Sequence, residues 1–418
     1  MHMNILLQKA TRQHTKDHNS RMVLRTIYDA GEISRADLAR LTHLTRTTVS
    51  EVVSGLIEQG LVEEVGQGPT AVGRTPTLLS VVDDARHVVA VTITKSEVQG
   101  AVINLRGAIQ HQAQLPVVGL DGQLVLAQLN LLIESLINVA HRPLLGIGIS
   151  TPGLLDTQQG VVRRAVNFGW HDVPLREIVQ ERHRLPVYIA NDSHMMALAE
   201  YMFGEHQHTP NLVAVKVGNG IGAGIVLHGQ LFASENYGAG EIGHVVVEPN
   251  GPRCQCGNRG CLEAVANIPA IVERAREAAQ ADTGSLLYQL TNDGTSSMTI
   301  EMVLHAFLNG DATAQAIMAE TGRLLGIAVA NLVSILGIRR IVITGRIVPF
   351  GEPLRDIIRE EVRCRILPDL AQVVEIDVLP QPPEAVLLGA TALLLTSELG
   401  LARLHKRPAH EDKEDLAA

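Results

Sequence analysis

The chain has 418 residues, 46% hydrophobic and 19% charged, a soluble globular composition too long for one ordinary core, so two or three domains are expected. Aromatic residues make up only 3%, which argues against nucleic-acid binding by base stacking. Net charge is −9, yet residues 1–50 carry eight Lys and Arg against four acids, so the head is +4 and the remainder −13; a basic head on an acidic body suggests a nucleic-acid-binding module attached to a body with another task. At the N-terminus, MHMNILLQKATRQHTK lacks a signal-peptide core and cleavage site. The longest apolar runs, LGIAVANLVSILGI and AVLLGATALLL, fall short of the roughly 18 residues that a spanning helix needs. A cytoplasmic protein with no membrane partner is expected. In that compartment a disulfide framework is out of place, and clustered cysteines point to metal.

RMVLRTIYDAG (21–31) places apolar residues at Met22, Val23, Leu24, Ile27 and Tyr28 and ends on Gly31, which predicts a short helix with a glycine stop. Ser34, with Asp37 three residues on, caps a second helix over SRADLARLT. After the turn Thr42-His43-Leu44, Thr45 opens a third helix, TRTTVSEVVSGLIEQG. Its apolar stripe is Val49, Val52, Val53, Leu56 and Ile57, and Thr47, Thr48, Glu51, Ser54 and Glu58 point away from it. Two short helices across a tight turn, the second with a small, hydroxyl-rich start, form the helix-turn-helix pattern. Thr45, Arg46, Thr47, Thr48 and Glu51 are the candidate DNA contacts, since the small side chains here let the helix approach base edges and phosphates closely. Two strand-forming runs, Leu61–Val65 and Thr77–Val82, flank a Gly/Pro loop and predict a β-hairpin wing. Arg74, near the wing tip, is placed to enter a minor groove. Residues 1–82 therefore read as a winged helix-turn-helix domain that joins a body over 83–400 near Asp83-Asp84; residues 401–418 read as a disordered tail.

The body alternates strands and helices. Strand patterns occur in HVVAVTITKSEVQGAVINLRGAI, LLGIGIS, LPVYIA, NLVAVKV and RRIVITG, and helical patterns cover 121–140, 268–282, 300–308 and 313–336. This is α/β organisation with glycine-rich loops at strand ends, where ligands collect in such folds. VGNGIGAGI sets Gly218, Gly220, Gly222 and Gly224 at alternate positions. Such a turn serves either a close approach to phosphate or a tight hairpin. Asn191-Asp192 lies at a strand end before a helix; it is either a sugar-hydroxyl site, with Asp192 a general base, or a plain helix cap.

Residues 254–261 read CQCGNRGC, three of the chain's four cysteines in eight residues. With His244 ten residues before Cys254, the set Cys254, Cys256, Cys261 and His244 is a closed Cys3His structural zinc site. Gly257 and Gly260 let the loop wrap an ion. The spacing C-x-C is not the redox pair C-x-x-C. Cys364 reads as a plain helix residue.

GxGIGxGI, then GAGEIGH, then C-x-C-G-x-x-G-C-L-E, together with TPGLLD, AVNFGW and Asn191-Asp192, resembles the ROK family of sugar kinases and sugar-responsive repressors over nearly the whole chain. SRADLARLTHLTRTTVS and GRTP resemble its repressor branch, that of the xylose and N-acetylglucosamine repressors. The resemblance implies an actin-like, ribonuclease-H-like body of two lobes and a cleft, with zinc ordering a loop that closes on a sugar. It also implies that Asn191, Asp192, Glu241, His244 and Glu263, joined by Asn167, hydrogen-bond the sugar hydroxyls. His244 then faces zinc with one ring nitrogen and the sugar with the other.

Kinases of this family carry an Asp-x-Gly-Gly-Thr turn for ATP phosphates and magnesium in the first hairpin. Here Thr92, Ile93, Thr94 and Lys95 stand in its place. β-Branched side chains crowd a backbone that must meet phosphate, and the metal loses its anchor. Asn219 replaces a Thr in the second glycine loop, and Arg346 replaces a glycine in the adenosine region. An intact sugar site beside a broken ATP site predicts a sugar-responsive repressor with no enzymatic activity, whose partners are operator DNA and a small sugar effector. A homodimer or homotetramer is expected, because winged helices read two-fold sites. The alternatives are a ROK-type kinase phosphorylating a hexose or amino sugar with ATP, with Asp192 catalytic, and a DNA-binding architectural protein with a dead sugar lobe.

Overall fold

The computed structural model describes residues 12–68, 75–117, 121–206, 209–232, 238–291 and 297–401. The head opens with α1 (Arg12–Ala30), which begins well before the expected Arg21. Residues 14–18 are exposed and polar; they contain no Gly or Pro, so the packed turns after them propagate the helix outward as a solvated extension. α1 stops at Gly31 (φ 74°). A two-residue strand, β1 (Ile33–Ser34), leads into α2 (Arg35–Thr42), where the Ser34 hydroxyl accepts from Asp37 N at 3.2 Å and donates to its carboxylate at 2.8 Å. His43 takes the left-handed conformation that the turn needs (φ 55°), and Thr45 caps α3 (Arg46–Glu58) by accepting from Thr48 N at 3.1 Å. β2 (Val62–Gln67) and β3 (Thr77–Val81) form the antiparallel wing, bulged between Glu64 and Gly66. β1 adds to β3 as a third strand, too short to leave a pattern in the sequence.

The body holds two five-stranded sheets built alike. The first comprises β4 (His87–Ile93), β5 (Glu97–Asn104) and β6 (Ile109–Pro116) as an antiparallel meander, followed by β7 (Leu144–Ser150) and, after a small sheet of β8 (Leu154–Asp156), β9 (Val161–Ala165) and β10 (Trp170–Val173), by β11 (Val187–Ala190). β7 runs parallel to β4, and β11 parallel to β7. The second sheet repeats the scheme with β12 (Leu212–Val217), β13 (Ile221–Leu227) and β14 (Gln230–Leu231) antiparallel and β15 (Arg340–Gly345) and β16 (Glu375–Val378) added in parallel. Each sheet has its own apolar core. Two helices of these cores, Gly122–Val139 and Ala312–Leu336, are long and apolar enough to cross a membrane by length and composition, contrary to the reading of the apolar runs. Their stripes, such as Val125, Leu129 and Leu136 in one and Leu324, Leu325 and Val333 in the other, are buried in the two cores.

Two helices tie the lobes together: Asp192–Phe203, which follows β11 yet packs on β12 and β13, and Ala385–Leu399, which follows the second sheet yet packs on β7 and β4. They also pack on each other so closely that a Cβ on Gly389 would overlap the Met195 carbonyl. The C-terminal end of Asp192–Phe203 reaches a third core that contains head residues: Val23, Ile27 and Tyr28 share it with Leu105, Tyr201 and Met202. There the Tyr28 hydroxyl donates to Leu105 O at 2.8 Å, Arg106 donates to Tyr28 O at 2.8 Å and lies 4.0 Å above its ring, and Arg106 pairs with Asp83 at 3.1 Å. The helix that starts at Asn191-Asp192 thus ends against the head.

Candidate functional site

The DNA-facing candidates sit on the open side of α3. Val49, Val52, Val53 and Leu56 are buried, while Thr45, Arg46, Thr47 and Glu51 are exposed and Thr48 is half-buried. Thr45 and Thr48 have their hydroxyls 2.9 Å apart, so the cap spends part of their hydrogen-bonding capacity internally. Ser50 is exposed as well and was not singled out in the sequence. Arg74 lies outside the described residues, as does nearly all of the expected tail.

In the body, GAGEIGH lies flat along β13. Ala223 N donates to Gly240 O at 2.8 Å, a Cβ on Gly240 (φ 83°) would overlap the Ala223 carbonyl, and one on Gly243 would overlap the Ile221 carbonyl. The two glycines place Glu241 and His244 beside the β12–β13 turn. Glu263, on the short helix Leu262–Ala266, accepts from Ile221 N at 2.9 Å, and Gly220 leaves room for its carboxylate. Burial pushes the Glu241 carboxyl up, His244 draws it back, and the nearby charges of Glu263 and Asp192 raise it further. Glu241 and Glu263 thus both lie against the β12–β13 hairpin.

Asn191 caps the helix Asp192–Phe203, its side-chain oxygen accepting from His194 N at 2.8 Å. The cap reading holds for Asn191, and its amide donors have no partner among the described residues. Asp192 is ion-paired with Lys216 of β12, a residue that the sequence reading passed over. The one signal was a charge inside the otherwise apolar strand LVAVKV. Asn167 sits in a single 3-10 turn, Val166–Phe168, with no hydrogen bond to the other candidates among the described residues. The neighbouring Phe168 and Trp170 pack together at 5.2 Å.

The alternating glycines make a hairpin, with Gly218 N bonded to Gly220 O at 2.9 Å. A Cβ on Gly222 would overlap the Ser193 hydroxyl, and one on Gly224 the Ala197 Cβ. These two glycines serve the close packing of the helix across β13.

The cysteine loop brings the ligand atoms of His244, Cys254, Cys256 and Cys261 within 4.8 Å of one another. His244 Nδ1 lies 3.7 Å from Cys254 Sγ, and Cys256 and Cys261 sulfurs are 3.7 Å apart. A tetrahedral ion with bonds of about 2.3 Å sets its ligands about 3.8 Å apart, so the cradle fits one. His244 Nε2 faces Glu241 at 3.7 Å, and the ring links the cradle to the acids. Burial pushes the Cys254 thiol up and that of Cys261 up to about 12, while the Asn258 backbone holds Cys256 down. A bound cation reverses the cost of ionising such thiols. Bonds from Val247 N and Glu248 N to Gly260 O close the loop base.

The turn after β4 is closed by its own side chain. Thr94 Oγ1 accepts from Ser96 N at 3.3 Å and Glu97 N at 3.1 Å and donates to Glu97 O at 3.0 Å. Arg346 reaches from the end of β15 to Asn219 at 3.4 Å and Glu301 at 3.3 Å, spanning the space beside the glycine turn.

A ROK family profile matches residues 88–397, and a MarR family profile matches 19–69. The chain is 32% identical over 389 residues to a xylose repressor of Caldicellulosiruptor bescii, covering 92% of this chain and 97% of that one. A crystal structure of a ROK family transcriptional regulator, a homologue of the E. coli MLC protein, superposes with a TM-score of 0.83 at 28% identity, over 93% of this chain and 98% of that one. A ROK family glucokinase from Streptomyces griseus, solved with glucose and AMPPNP, gives a TM-score of 0.61 at 26% identity, over 73% of this chain and 98% of its own.

Proposed function

The chain belongs to the ROK family, and from that premise we propose that it is a sugar-responsive, DNA-binding transcriptional repressor and not a kinase. The carrying observation is the contrast between the two lobes: in the second, Glu241 and the Cys3His cradle meet at His244 beside the hairpin that Glu263 holds, while in the first Thr94 takes two amides of the turn that a kinase needs for phosphate. Asn167, Asn191, Asp192, Glu241, His244 and Glu263 take the sugar hydroxyls, and zinc on His244, Cys254, Cys256 and Cys261 fixes the loop bearing two of them. Zinc would supply structural order only. Thr45, Arg46, Thr47, Thr48, Glu51 and Arg74 meet operator DNA, in a homodimer or homotetramer that matches a two-fold site. The functional boundary lies near residue 82.

Sugar closes the cleft, and the helix Asp192–Phe203 carries the change to the Tyr28–Leu105 contact beneath the head. The coupling stems from different sugar affinity in the two arrangements. The test is fluorescence anisotropy of the full chain on DNA from upstream of its own coding region, at fixed salt, against pentoses, hexoses and N-acetyl sugars. One sugar is expected to release the DNA from the wild type. Glu241→Ala should bind DNA as before and ignore the sugar. DNA binding unmoved by any sugar, or ADP release that depends on one, defeats the proposal.

A further inference from the structure

Lys216 has no place in the reading above, which needs only carboxylates, amides and the cradle. It stands in register with Gly222 on one side and Thr344 on the other. Its Cε is 3.9 Å from where a Cβ on Gly218 would lie, so the stem runs beside the glycine turn. Its ammonium is ion-paired with Asp192, the first residue of the helix Asp192–Phe203. The charge therefore lies between the turn and the helix start. An ammonium has three N–H donors, and Asp192 takes one. Thr344, on the same face by its register, is fully buried, and its hydroxyl has no hydrogen-bond partner. A buried hydroxyl left so is rare in a finished core.

We propose that Lys216 is a specificity-determining residue of the effector cleft: with Asp192 it clamps a single uncharged hydroxyl of the sugar, Lys216 donating to the oxygen and Asp192 accepting its proton in a hydrogen bond. This rests on the cleft being a sugar site. Asp192 is paired with Lys216, and the Glu263 carboxylate lies against Gly220 of the same turn, so a phosphate ester in this corner meets two carboxylates around one cation. The clamp therefore selects a free sugar over its phosphate.

The experiment titrates D-xylose, D-glucose, N-acetyl-D-glucosamine and the terminal phosphate ester of each into the full chain, by calorimetry and by the emission of Trp170, the chain's single tryptophan. Lys216→Met, Lys216→Arg and wild type are compared, with melting temperature and DNA affinity as fold controls. Expected are binding of a free sugar more tightly than its ester by wild type, a loss of about ten-fold or more in Lys216→Met, and partial rescue in Lys216→Arg. If wild type binds a sugar and Lys216→Met binds it equally well, the clamp is wrong while the sugar site stands. If the ester binds wild type more tightly, Lys216 is a phosphate anchor and the clamp is overturned. If wild type binds none of the six compounds, the sugar reading falls and takes the clamp with it.

Discussion

The cysteine loop of the second lobe and the turn after β4 in the first are both short, polar segments, and they satisfy themselves in opposite ways. The turn is complete without help: Thr94 closes it through two backbone amides and one carbonyl. The loop brings together three thiols and an imidazole, whose contacts with one another are weak sulfur hydrogen bonds at 3.7 Å and which a cation would join more firmly. A turn whose hydroxyl holds two of its own amides withholds those amides from a ligand, whereas a convergent set of soft ligand atoms offers a cation a ready cradle. The first lobe has thus closed its turn with a hydroxyl, and the second presents a donor set that a metal ion fits.

The largest effect should come from Cys256→Ser. Cys256 is the exposed sulfur of the cradle and lies 3.7 Å from Cys261, so the serine hydroxyl fills the same space with a far poorer ligand. The expected outcome is complete loss of bound metal, measured by elemental analysis, and loss of sugar response with it, while DNA affinity without sugar stays at the wild-type value. Retention of the full sugar response after the metal is gone would place the loop's order in its backbone bonds, as in the Thr94 turn, and would erase the contrast.

Glu263→Ala should have an intermediate effect. Its carboxylate anchors the loop to the glycine turn through Ile221 N at 2.9 Å, and removing it leaves that buried amide unpaired. The expected cost is about 1–3 kcal/mol in denaturant unfolding, with metal still bound and sugar affinity reduced. Equal loss of metal and sugar affinity would mean that anchor and cradle form one unit.

What the sequence showed follows how local each feature is. The winged head was legible because caps such as Ser34 and Thr45, the His43 turn and the stripe on α3 are all encoded within a few residues. The cradle was legible because three cysteines stand out in a chain with four. The Lys216–Asp192 pair was not, since its partners lie 24 residues apart on different elements. The alternating glycines leave a phosphate turn and a tight hairpin both open in the sequence, because alternation reads the same whatever glycine makes room for; only the positions of Ser193 and Ala197 show what Gly222 and Gly224 accommodate. Likewise nothing local shows that Asp192–Phe203 and Ala385–Leu399 each pack on the other lobe's sheet, or that α1 shares a core with Tyr201.

The smallest effect should come from Thr94→Gly, which tests the other side of the contrast. The substitution removes the hydroxyl that holds Ser96 N and Glu97 N and so frees both amides. It also returns one of the glycines that the kinases of the family carry in this turn. Two obstacles remain. No carboxylate enters the turn to anchor magnesium, and Arg346 still spans from β15 to Asn219 and Glu301 beside the glycine turn. The expected result is a stability loss of about 0.5–1.5 kcal/mol in denaturant unfolding, for the lost hydrogen bonds and the freer backbone, with no sugar-dependent ADP release. Sugar response should be unchanged, because the cradle and the three acids lie on other segments. ADP release in this variant would mean that one hydroxyl alone had been holding an otherwise competent phosphate site shut.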